Sequence, residues 1–223
     1  MPSKSRIAFD RNAEDIERLL EFHKDQGGVA KGRRYGLEVL NKSAIVLLTS
    51  FWEAYCEDIA AEALEHIVAH APSADKLPLG LQKVIAKELK APGSHELAIW
   101  ELSDSGWRDV LKKRLASLQL DRNRLLNTPK SAKIDDLFLG ALGIPKISDS
   151  WRWPTRMTAA KARSKLDHYV ELRGSIAHRG AALTSVKKVQ VTDYFDFLKR
   201  LVGRTGAAVR RHVDTVTPVR LWK

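Results

Sequence analysis

Cysteine is almost missing from this chain. Cys56 is the only one in 223 residues, so no disulfide can form within one copy, and a reducing compartment is expected. Long hydrophobic runs are missing too. Met1 to Asp10 has no apolar stretch of the kind a secretory leader needs. The longest apolar run, Ala44 to Trp52, is broken by polar residues and is far too short to span a bilayer. These absences lead us to expect a soluble, cytoplasmic protein with no membrane contact. Segments of strand period, internal repeats and low-complexity tracts are also lacking. So are a nucleophile elbow, a Cys-x-x-Cys pair and a zinc-deaminase signature. The glycine-rich stretch Gly27 to Arg34 lacks the spacing and the Lys-Ser/Thr ending of a P-loop, and reads as a basic hinge. Acidic residues are in deficit: 27 Asp and Glu face 38 Lys and Arg, a formal charge of +11. Such an excess points to an anionic partner, nucleic acid or an acidic protein, unless it is ordinary solubility charge. It is concentrated in Arg108–Lys133 and Lys199–Lys223, both candidate phosphate-contacting surfaces.

What the chain does have is helical periodicity. A first amphipathic helix is predicted over Asp10–Lys24, with Ile16, Leu19, Leu20 and Phe22 as its stripe. A long helix follows from about Arg34 to His70, ended by Ala71-Pro72. It is apolar on two sides, which demands cover on both, by its own bundle and by either inserted helices or a second subunit. Short helices are expected at about 79–90, 104–119 and 132–142, with Ser103 or Asp104 and Ser131 as N-caps. The tryptophans of Ser148–Pro154 could stack on bases or anchor that loop to the core. A strong helix is predicted from Thr158 to Ala177, then a loop, then a last helix from an N-cap at Thr192 to about Val213. Val186–Val191 could add a short extended piece. The chain therefore reads as one all-α domain over 1–223. Its core lies at about 34–71 and 155–213, and short helices are inserted at about 73–154.

Arg173 and His178 are the candidate catalytic pair. An arginine can hold a phosphate and a histidine five residues on can move a proton, a minimal kit for cleaving RNA. Spacing alone carries little, because Arg18/His23 and Arg163/His168 share it. Helix position separates the third pair. On a wheel of 100° per residue, Leu166, Tyr169, Val170, Leu172, Ile176 and Ala177 form an apolar face with Arg173 near its middle. An obligate cation there must be paired or hydrated. It is either a structural ion pair or cap, or the floor of a wet groove that accepts a phosphate. His178 lies about 140° away, at the helix end. Gly174, in mid-helix, costs about 1 kcal/mol against alanine and could admit a close neighbour.

Arg173-Gly-Ser-Ile-Ala-His178, set between an apolar helix and a final helix, resembles the Arg-x4–6-His motif of the HEPN superfamily. Leu47-Leu-Thr-Ser-Phe-Trp-Glu-Ala-Tyr-Cys-Glu-Asp-Ile59 resembles the long second helix of HEPN proteins of the RiboL-PSP and cyanobacterial defence-associated kind, as does Ser150-Trp-Arg-Trp before the motif helix. The likeness covers about 34–71 and 148–212. It implies a four-helix bundle that forms a homodimer with two motifs facing one cleft. It also implies metal-independent endoribonuclease activity in toxin–antitoxin or antiviral systems, with RNA and a cognate antitoxin or defence-system protein as partners and no cofactor. Two residues depart from the pattern: Gly174 stands where many relatives carry Asn or Asp, and Gly180 stands where the toxin branch has a tyrosine. In this chemistry His178 serves as base on a ribose 2′-hydroxyl or as acid on the leaving oxygen, and Arg173 stabilises the phosphate. Glu53, on the long helix, would orient either one, or is simply a solvated glutamate. A catalytically silent HEPN module that binds RNA, a nucleotide or a protein is the alternative.

One rival constellation exists. Glu62, His66 and His70 share a helix face at a spacing that could hold a divalent metal, but no fourth ligand is evident, so no metal site is expected. Cys56 has no catalytic partner and reads as core.

Overall fold

The helix over Glu38–His70 (α2) organises the molecule, because both of its sides are apolar and must be covered. In a computed structural model of the protein, which describes residues 2–27, 36–91, 95–120, 126–154, 156–179 and 185–222, that cover comes from one chain. Lys4–Gly27 (α1), Leu79–Leu89 (α3), Gly106–Leu120 (α4), Ser131–Leu142 (α5), Ala159–Arg179 (α6) and Lys188–Val213 (α7) complete the α-helices. Helices α1, α4, α5, α6 and α7 all pack on α2. The protein is all-α, a helical bundle with no strand among the described residues. The one extended pairing is an isolated bridge between Trp153 and Met157, and the piece expected at Val186–Val191 is the approach to α7 and its first turn. No helix among the described residues is long and apolar enough to cross a membrane.

The core runs along α2. Trp52 stacks on Tyr55 and meets Trp151 edge-on at 5.8 Å. The Trp151 indole N–H donates to Thr205 Oγ1 on α7 at 2.9 Å, and Tyr55 donates to Val202 O at 2.9 Å. Trp151 is fully buried, so this tryptophan anchors its loop, while Trp153 is half-buried beside Phe197. Cys56 is buried in the same core.

Helix ends show where local signals mislead. Pro72 makes α2 stop at His70, with Ala71 extended at φ −63°, ψ 129°. The carbonyls left over at Val68 and Ala71 accept from the Arg108 guanidinium of α4, at 2.6 Å each. Ser131 is not the N-cap of α5. The helix begins at it, and both its amide and its hydroxyl donate to the Asp167 carboxylate of α6, at 2.7 and 2.9 Å. A carboxylate at a helix N-terminus serves better than a hydroxyl because it also meets the helix dipole. Thr192 is likewise interior to α7, which starts at Lys188, and its hydroxyl donates back to Lys188 O. Helix α4 starts at Gly106, beyond Ser103 and Asp104. The hinge proposed over Gly27–Arg34 lies, after Gly27, outside the described residues, as does Gly180.

Candidate functional site

Helix α6 carries the motif. Thr158 opens it, its hydroxyl accepting from Lys161 N at 3.2 Å. Ala162, Leu166, Tyr169, Val170 and Ile176 are buried, so the apolar face is real. Ala177 is exposed and does not belong to it. Tyr169 sets α6 against α7: it stacks on Tyr194 with ring centres 4.0 Å apart and donates to Gln190 O and Asp193 Oδ2, at 3.1 and 2.8 Å.

Arg173 is half-buried on this face. It forms no ion pair with any described carboxylate. One guanidinium nitrogen makes a long 3.5 Å contact with Asn127 O, and Nε is buried with no hydrogen-bond partner. Two elements bring charge and dipoles near it. Glu53 on α2 is 9% exposed, and its carboxyl titrates above the usual carboxylate range. Burial is the main cause and Glu57 one turn on adds to it, while the Arg173 charge opposes both. The Arg173 charge also reaches Tyr194, whose hydroxyl shares a 3.1 Å hydrogen bond with Thr49. The Arg173 charge is thus felt at Glu53 without a direct ion pair, and Glu53 is not a solvated residue.

His178 stands apart. It is exposed, and α6 continues unbroken to Arg179, so the 140° offset from Arg173 persists within one chain. The neighbours the sequence did not single out are Glu57, legible only as a second acid one turn along an apolar helix, and Asn127, which comes from a loop 46 residues away with no local signal.

The rival constellation has other work. Glu62 accepts from Lys4 N, from Ser5 N and Oγ, and from the Trp222 indole at 2.8 Å, so it ties both ends of the chain to α2. His66 donates through Nε2 to Val219 O, and His70 through Nδ1 to His66 O. Among the described residues no group of three His, Cys, Asp or Glu side chains is arranged to hold a metal ion.

The RiboL-PSP-HEPN family model matches residues 11–208, which runs from within α1 to most of α7. The chain belongs to the RiboL-PSP-HEPN family. Its all-α bundle agrees with that membership. The match also runs through the first helix and the middle helices, where the sequence itself had offered no resemblance. No curated protein and no solved structure matches the chain.

Proposed function

We propose that this RiboL-PSP-HEPN protein is an endoribonuclease that works as a homodimer, without a metal or cofactor, in the cytoplasm, as a toxin or antiviral effector with a cognate antitoxin or defence-system protein. The observation that carries the reading is Arg173: a half-buried guanidinium on an apolar face whose buried Nε has no hydrogen-bond partner, and which pairs with no carboxylate, among the described residues. A cation in that position is costly unless something anionic completes it. A scissile phosphate does so with two parallel hydrogen bonds. His178 of the pair of motifs then takes the proton of the ribose 2′-hydroxyl, whose oxygen attacks phosphorus. The bond from phosphorus to the 5′-oxygen breaks, and a second histidine returns a proton to that oxygen. The products are a 2′,3′-cyclic phosphate and a 5′-hydroxyl. A symmetric dimer supplies the two histidines, and Glu53 holds Arg173 in place.

The test is incubation of the purified protein with structured and unstructured RNA in EDTA. Cleavage that leaves cyclic phosphate ends, and is lost in Arg173→Ala and His178→Ala, is the expected result. Binding without cleavage by the unaltered protein refutes the enzyme. A second reading, a silent module that binds RNA, a nucleotide or a protein, draws on one observation: within a single chain Arg173 and His178 do not converge.

A further inference from the structure

Two stretches of the chain are rich in positive charge, and the structure treats them differently. In the first, Arg108 caps α2, Arg114 donates to Gly140 O and pairs with Glu88, Lys112 pairs with Asp109, Lys113 with Glu101, and Lys130 with Glu171. Those cations are engaged by groups of the protein itself. In the second, α7 carries two acids, Asp193 and Asp196, and each is engaged by a lysine, Lys165 and Lys199. From Lys199 to Val213 the helix has no acid at all. Arg200, Arg204 and Arg211 are exposed there, and none of them forms an ion pair with a described residue. On the helical wheel the three fall within about 40° of one another, and they span about 16 Å of the axis. Arg200 lies over the ring of Trp153 at 5.8 Å, which limits its freedom. Gly203, also exposed, has open space where a Cβ would stand, so no side chain crowds the flank of the row beside Arg200. Like charges one turn apart disfavour the helix. A straight row of unpaired guanidinium groups fits a ligand with charges repeated along a line, which is what the backbone of a nucleic acid strand offers.

We propose that the α7 row of Arg200, Arg204 and Arg211 is an anchoring site for the phosphate backbone of RNA, separate from Arg173, which grips the strand away from the bond that is cut. It rests on the RNA-directed reading above. It assigns the row to affinity and not to chemistry, since contacts made equally in the ground and transition states change KM and leave kcat alone.

The experiment replaces all three arginines by glutamine. Binding of a labelled single-stranded RNA oligomer is followed by fluorescence anisotropy across a salt series, in a His178→Ala background so that the strand stays intact. Each phosphate contact contributes about 0.7 to the slope of log affinity against log salt for a single strand, so the triple variant should lose about 2 from that slope. Between 50 and 200 mM salt its affinity should then fall about 20-fold less than that of its parent. With His178 restored, the triple variant should show raised KM and unchanged kcat. Lys112→Gln, Lys113→Gln and Lys133→Gln together remove the same charge elsewhere on the surface and should leave the slope as it was. A parent that binds RNA, with a triple variant of equal affinity and slope, overturns the anchoring site and leaves the ribonuclease reading standing. A triple variant whose only change is in oligomeric state overturns it in favour of a protein interface. A parent that neither binds nor cleaves any RNA removes the reading beneath it.

Discussion

Glu53 on α2 and Arg173 on α6 act on each other through charge without joining in an ion pair, and burial and charge pull the Glu53 carboxyl in opposite directions. Burial and the neighbouring Glu57 favour the neutral carboxyl of Glu53, while Arg173 favours the carboxylate. The net shift is upward. A carboxyl whose folded-state titration lies above its unfolded one contributes stability that is complete below the unfolded value and is lost as pH rises through the folded value. At neutral pH the fold therefore bears the cost of a buried carboxylate. Glu53→Gln should melt at a higher temperature than the parent at pH 7, and the gain should vanish towards about pH 4, where the parent is protonated as well. Cleavage should fall in the same variant if Glu53 positions Arg173. A lower melting temperature at pH 7 would show that the attraction to Arg173 outweighs burial. Arg173 stands out in the sequence because it breaks an apolar stripe, whereas Glu53 is only an acid on the long helix that resembles the family. Glu57 carries the same signal, yet only the packed structure shows that it is buried and bears on Glu53. Asn127 has no signal at all, because a backbone carbonyl is donated by whichever residue the loop happens to bring there.

At the scale of elements, glycines and caps separate what is legible from what is not. Gly80 on α3 and Gly143 at the end of α5 let two backbones meet. A Cβ on either would collide with backbone atoms of the other segment, and Gly143 also holds a left-handed φ of 73° to close its helix. Gly174 and Gly203 have open space at the same position. All four are alike in sequence, and only the tertiary contact divides them. Gly80→Ala should destabilise by about 1–3 kcal/mol, since backbone must shift. Gly174→Ala and Gly203→Ala should each stabilise by up to about 1 kcal/mol through helix propensity. Chemical denaturation of the three variants checks both signs. The α5 cap follows the same logic. Ser131 is the right residue type at the right place, which is why it reads as a cap, but Asp167 from α6 does the capping. Asp167→Ala should cost about 1–2 kcal/mol, while Ser131→Ala should cost less, since the carboxylate still accepts from the backbone amide. Equal losses in the two would count against that division. Helix existence, by contrast, was legible throughout, because hydrophobic periodicity is averaged over several turns and no single contact can overturn it.

At the scale of the whole molecule, the geometry of α6 sets the question of how a site could be assembled. The helix runs without a break to Arg179, with Arg173 half-buried and His178 exposed on another side. Two routes lead from there to a working site. Either the last turn unwinds so that both residues of one chain meet the same phosphate, or a symmetric partner brings its histidine to the arginine of the first chain. Mixing two inactive variants separates them. Arg173→Ala and His178→Ala chains, unfolded together and refolded at equal concentration, should give half heterodimers by random pairing. If each site takes its arginine from one chain and a histidine from the other, one site in every heterodimer keeps an arginine with one histidine and lacks only the second histidine. Activity should then rise above that of either variant alone and stay below a quarter of the parent's, because an isologous interface presents each residue of one chain to the other. If each site draws both residues from one chain, no heterodimer contains an intact site, and the mixture stays as inactive as its components. Restoration in the mixture, set against its absence in either variant alone, decides between a helix end that melts and a partner that completes the cleft.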